Sequence, residues 1–243
     1  MKREQFFLSA IVAFVFISCY QDHPNPEDFK KYINVNASIQ KMQSCAFNSV
    51  WEKNDAIGIY MKKSDANWSD AIQANNVKYI TDGTSIFRVA DAKKAINFPI
   101  DGSDASFVAY YPYKSVLPEM EYPVDIADQS NLPAIDLLYS DNAKAVNSEQ
   151  FDINLVFEHQ LSKVILNIIP EDPLHDLSGL SANITGVGTK ATFSLENGEL
   201  SAPIATGNIS FNMSADGRTA EAILLPMQSL ENKELVLSIA SNT

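Results

Sequence analysis

"YINVNASIQ", residues Tyr32 to Gln40, sets Ile33, Val35, Ala37 and Ile39 in strict alternation with Asn34, Asn36, Ser38 and Gln40. A two-residue period sends successive side chains to opposite faces, so the stretch reads as a half-buried β-strand. "DAIGIYM" (55–61), "SFVAYYPY" (106–113), "TFSLENGEL" (192–200) and "ELVLSIAS" (234–241) carry the same pattern. In "SFVAYYPY" it sends Phe107, Ala109 and Tyr111 to one face and Val108 and Tyr110 to the other. Pro112 lacks the N–H a ladder needs and should end that strand. Asn197-Gly198, between two short alternating runs, predicts a hairpin with a type I′ turn. Only "DLLYSDNAKAV" (136–146) has the look of a short helix. The expectation is an all-β chain.

One strand changes phase. Ile153, Leu155, Phe157 and Leu161 hold the odd positions, with His159 among them, whereas Val164, Leu166 and Ile168 hold the even ones. A one-residue slip turns every side chain to the other face, so the chain must bulge or bend between Gln160 and Lys163. Phe157 and Leu161 are expected on one face and Val164 and Leu166 on the other, where a second core begins.

The front of the chain gives an address. Met1, Lys2 and Arg3 precede an apolar run from Phe6 to Ile17 that is broken only by Ser9. A run of about twelve residues is too short to span a bilayer and suits the apolar region of a signal peptide. It closes on "FISC", with Ser18 directly before Cys19, an order that resembles a bacterial lipobox with Phe16 in the usual place of Leu. Residues 1–18 are therefore expected to be a lipoprotein signal peptide. Cys19 is expected to be the acylated first mature residue, with a palmitate-type anchor, and 19–31 to form a tether that holds the protein to a membrane by lipid.

Composition narrows the function. The chain has 243 residues, 46% of them hydrophobic and 20% charged, which is the profile of a globular protein. Cys45 is the sole cysteine besides Cys19, so no internal disulfide framework is available. A formal charge of -12 without a basic stripe argues against nucleic acid as a partner. No phosphate-binding glycine loop, paired-histidine zinc motif, nucleophile elbow or calcium loop occurs, so no enzyme activity, cofactor or metal is expected. His23 falls in the tether and His175 in a turn-rich segment. His159, beside Glu158, reads better as a buried residue bonded to backbone than as a ligand or catalytic base.

The succession "VWEKNDAIGIYM" (50–61), "INFPIDGSDASFVAYYPY" (96–113), "YPVDIADQS" (122–130), "AIDLLYS" (134–140) and "LVFEHQLSKVILNI" (155–168) resembles the fimbrillin, or Mfa-like, family of Bacteroidetes surface lipoproteins, as do "ATFSLENGEL" and "AILLPMQ". The resemblance implies two β-sandwich domains of transthyretin-like topology, 32–150 and 151–243. The second is expected to be incomplete, since chains of the family usually run on past the segment matching "ELVLSIAS". It also implies an outer-membrane, lipid-anchored protein at the cell surface or in a fimbrium, acting in pilus assembly, anchoring and adhesion. Its partners would be other pilus subunits, joined by β-strand complementation, and a host protein or glycan.

In this family the first strand is exchanged between subunits. Here the candidate for that strand is "YINVNASIQ", with Ile33, Val35, Ala37 and Ile39 as the expected groove-filling side chains. Arginine-directed processing has no site beside it, because the only arginines are Arg3, Arg88 and Arg218. Lys41 is the candidate processing position. The alternative reading is a non-polymerising surface glycan-binding lipoprotein, in which exposed Trp51, Trp68, Tyr79 and Tyr113 join the aromatic stretch as stacking platforms.

Overall fold

In the computed structural model, residues 32–40, 50–147, 149–172, 176–227, 229 and 231–239 are described, all within the unit Lys31–Thr243. Cys19, Lys41, Cys45, His23 and His175 lie outside the described residues. The chain is all-β. Its strands are β1 (Asn34–Ile39), β2 (Lys53–Lys63), β3 (Ile72–Asp82), β4 (Ile86–Val89), β5 (Ala105–Tyr111), β6 (Glu121–Asp125), β7 (Leu138–Ser140) and β8 (Asp152–His159). After these come β9 (Ser162–Asn167), β10 (Leu180–Ser194), β11 (Glu199–Leu200), β12 (Ala205–Ser210), β13 (Asn212–Met213), β14 (Thr219–Leu224) and β15 (Leu235–Ile239). Short helices α1 (Trp68–Ala71) and α2 (Leu132–Ile135) interrupt them.

Seven strands close on themselves in the order β1-β4-β3-β2-β5-β7-β8. Neighbours are antiparallel except β1 and β8, which run parallel. A second layer has β10 at its centre, with β12 and β11 along it and β6 and β15 also paired to it. The third sheet is β13-β14-β9. Thus β8, from the 151–243 half of the sequence, completes the first sheet, and β6, from the 32–150 half, pairs with β10.

The wall formed by β2, β5 and β7 is shared by two cores. Ile57, Ile59, Met61, Phe107, Ala109 and Leu138 face the inside of the closed sheet, while Tyr60, Val108, Tyr110 and Tyr139 face the second core. Burial on both faces is why "AIGIYM" and "SFVAYY" are nearly continuous apolar runs rather than clean alternations. The face assignment within "SFVAYYPY" holds, and β5 stops at Tyr111, one residue before Pro112. Crowding at this wall fixes Gly58: a Cβ there would lie 2.2 Å from the Tyr110 ring.

The phase change also falls where expected, at Gln160–Leu161 between β8 and β9. Ile153, Leu155 and Phe157 enter the first core. Leu161 does not share their face: it lies in the second core, against which Val164 and Leu166 also pack. The break between β8 and β9 reorients the chain before Leu161 is reached, so parity counted across it fails for that residue.

Two local expectations are corrected. "DLLYSDNAKAV" supplies β7 rather than a helix, because Leu137 and Tyr139 go to one core and Leu138 to the other, between β5 and β8. The Asn197-Gly198 hairpin forms, but its loop is four residues long, Leu195 to Gly198, bridging the Ser194↔Glu199 pair. Gly198 has a φ of 74°, whereas Asn197 is not among the positive-φ residues, so the turn is not type I′.

Candidate functional site

β1 closes the seven-stranded sheet between β8 and β4. It pairs with β8 over six residues, from Asn34↔Asp152 to Ile39↔Phe157. On its other side it meets β4 at only Val35↔Phe87 and Asn36↔Ile86. Further backbone bonds pin its length: Asn34 N donates to Phe151 O at 2.7 Å, Ala37 N to Ser85 O at 2.7 Å, and Gln40 N to Phe157 O at 2.8 Å. On the outer face Asn34 Nδ2 donates to Asp152 Oδ1 at 3.0 Å.

The sequence-expected face is the buried one. Ile33, Val35, Ala37 and Ile39 all lie in the first core with Ile153, Leu155, Phe157 and Phe87. Burying each branched side chain stabilises by about 1.5–3 kcal/mol, so the three larger ones anchor the strand by roughly 5–9 kcal/mol before entropy is subtracted.

Trp51 closes the far end of this groove. Its Nε1 donates to Ala37 O at 2.9 Å, reaching β1 by a side chain rather than through the ladder. The indole packs edge-on against Phe87 (5.0 Å), Phe157 (5.3 Å) and Tyr111 (5.6 Å between centroids). Sequence reasoning treated Trp51 as a candidate stacking residue. Its role was not readable, because nothing in a single sequence says that position 51 folds back over position 37.

Beside Ile39 and Trp51 a cleft of 320 Å³ opens against the third sheet, lined also by Asp55, Tyr111, Asp136 and Glu221. Tyr111 donates from its hydroxyl to Asp55 Oδ1 at 3.1 Å. Its phenol is held far above the usual tyrosine range, first by burial and then by the Asp55 charge. Lys163 pairs with Glu221 at 2.9 Å on the cleft wall.

His159 is buried, its side chain 2% exposed, and its Nδ1 lies 3.0 Å from the Asp136 carboxylate. The expected bond to backbone is thus corrected to an ion-pair geometry with an acidic side chain. The aromatic platform is corrected too. Trp51, Trp68, Tyr79 and Tyr110 are all buried in the cores. The Tyr110 hydroxyl is held twice, donating to Asn76 Oδ1 at 2.7 Å and accepting from Lys114 N at 3.2 Å. Tyr113 is half-buried under the Lys78 ammonium, 5.3 Å from its ring centre. These rings build the sheet core.

The closed seven-stranded sheet and the two sheets beside it define an all-β protein. A profile of fimbrillin-like proteins matches residues 44–243, and the chain belongs to the fimbrillin-like family. It is 30% identical over 250 residues to a candidate fimbrium subunit, Fim1C, of Bacteroides uniformis, covering 98% of this chain and 80% of that one. It is also similar to the crystal structure of a candidate cell adhesion protein from Bacteroides uniformis, at 29% identity and a TM-score of 0.73, over 88% of this chain and 81% of that one. The crystal structure of a candidate cell adhesion protein from Bacteroides ovatus shares the fold at 22% identity and a TM-score of 0.65, over 86% of each chain.

Proposed function

We propose that this chain is a fimbrial subunit of the cell surface, acting in fimbria assembly or anchoring and in adhesion, and joined to its neighbours by β-strand complementation. The observation that carries the reading is β1 itself. It presents Ile33, Val35, Ala37 and Ile39 to one groove, and its opposite face carries only the exposed Asn34 and Ser38 and the half-buried Asn36. A strand from another subunit with the same alternation could take its place, with backbone bonds supplying affinity and the apolar side chains the fit. Family membership and the likeness to Fim1C support the fimbrial assignment.

The finer reading concerns the N-terminus. Lipid on Cys19 holds the mature chain to the outer membrane. Freeing β1 needs a cut after a lysine such as Lys41, and that cut would also sever the body from its lipid. The chain therefore keeps its first strand and serves as an anchor or accessory subunit rather than the repeating shaft. Mass spectrometry of the native surface protein tests this. The expected mature N-terminus is a lipidated Cys19 in fractions that carry fimbriae. A terminus near Gln43 in high-molecular-weight polymers overturns the anchor role, and absence of the protein from fimbriated fractions overturns the fimbrial one.

A further inference from the structure

Within the closed sheet, part of β3 has a strand on one side only. β2 pairs with β3 from Ile72 to Asp82, whereas β4 pairs with it only from Tyr79 to Thr81. Among the described residues, Gln73–Val77 therefore has no strand neighbour on the β4 side. This stretch and the segment 93–101 together line a groove of 860 Å³, a volume within the range of ligand sites.

The groove differs in charge from the chain as a whole. The formal charge of the protein is -12, yet Lys63, Lys93 and Lys94 line the groove with one carboxylate, Asp101. That carboxylate is already engaged, by Lys63 and by the Ser103 hydroxyl at 2.7 Å. Lys93 and Lys94 are exposed and enter no ion pair among the described residues. Two adjacent ammonium groups are thus left to attract an anion. Gln73 and Asn75 are exposed as well, and each amide offers two donors and an acceptor.

We propose that this groove binds a saccharide bearing a carboxylate, with Lys93 and Lys94 holding the acid group and Gln73 and Asn75 bonding ring hydroxyls. The lining favours a sugar over an acidic peptide strand. An added strand takes its specificity from pockets that receive alternate side chains. Here Met61, Ala74, Val77, Ile96 and Phe98 are already buried in the first core, so they form no such pockets. Pro99 on the wall has no N–H to give a ladder. The exposed groups are amides and ammoniums, with the apolar Ile100 beside them. No residue of β1 lines the groove, so binding here does not depend on β1 leaving its place.

Calorimetric titration of the full chain tests it, with sialyllactose and trigalacturonate as carboxylated probes, lactose as the neutral one and a polyglutamate peptide as the rival. At least one carboxylated sugar is expected to bind with a Kd of about 1 mM or tighter, and lactose about tenfold or more weakly than that. Lys93→Gln with Lys94→Gln should weaken the carboxylated sugar by about tenfold or more, and Gln73→Ala with Asn75→Ala should weaken it too. Lys53→Gln, which removes an exposed lysine outside the groove, should leave binding unchanged. All these positions are exposed, and matched thermal unfolding with the parent verifies that the variants fold. Failure of both carboxylated sugars, equal binding of lactose, affinity indifferent to the groove variants, or tighter binding of the peptide overturns the proposal. Since none of these variants touches β1, strand exchange there can fail or succeed independently.

Discussion

Phe157→Ala probes the groove that holds β1. The ring is fully buried, lies in register with Ile39 on the neighbouring strand, and supports the Trp51 indole edge-on at 5.3 Å. Truncation removes the transfer free energy of the ring and leaves a cavity that the closed sheet cannot collapse into, a loss of about 3–5 kcal/mol. Against a typical total of about 5–15 kcal/mol, that is a third or more of the stability of many domains. Val156→Ala is the control: the adjacent residue points outward and is 38% exposed, so it should cost less than about 1 kcal/mol. Urea unfolding reads both, and tryptophan emission should shift in Phe157→Ala before global unfolding as Trp51 loses its neighbour. Equal midpoints for the two variants would refute the assignment of Phe157 as the floor of the groove.

Trp51→Phe keeps most of the packing but leaves Ala37 O without its indole donor, so stability should fall by about 1–3 kcal/mol and cleavage near β1 by added protease should quicken. Gly58→Ala should destabilise more than an ordinary Gly→Ala change in a strand, because the new methyl meets the locked Tyr110 ring; recovery in Gly58→Ala with Tyr110→Leu would confirm the clash, measured by thermal unfolding. Alkali should unfold the protein. The Tyr60 phenol is pushed up to about 12 by burial and then by Tyr113, from an ordinary value of 10.0. The folded state therefore holds this proton after the unfolded chain has released it. The contribution is fully present below pH 10 and is lost as pH rises through about 12. Phenolate absorbance should rise together with loss of circular dichroism; a smooth titration at constant dichroism would contradict the buried position.

The sequence showed most of what depends on period two. The face of β1, the two faces of β5, its end before Pro112 and the inward set of β8 were all legible, because each is local and repeats every second residue. The failures come from the third dimension. Leu161 changed core because a strand break resets the phase. β7 resembled a helix because a strand packed on both faces loses its alternation. His159 found Asp136, a partner 23 positions away that no motif links to it. The aromatic residues were visible as a cluster, but whether rings face solvent or one another is decided by how two sheets meet.

On the proposed reading, the closed sheet makes β1 the strand suited to exchange. Opening a ring at one member leaves the rest contiguous, and without β1 the order β4-β3-β2-β5-β7-β8 would persist with every remaining pair intact. Removing β5 or β2 would instead strip the wall shared by both cores, exposing Tyr110 or Tyr60 together with Phe107 or Ile59. β1 contributes only to the first core, so its loss is confined there. It is also the first strand of the described chain, and releasing it pulls no other strand with it. The same confinement predicts that a strand peptide of sequence YINVNASIQ, added to protein cut after Lys41, should restore the unfolding midpoint while leaving the second core's contribution unchanged. Failure of the peptide to raise the midpoint would mean that β1 is held by the chain that follows it rather than by the groove.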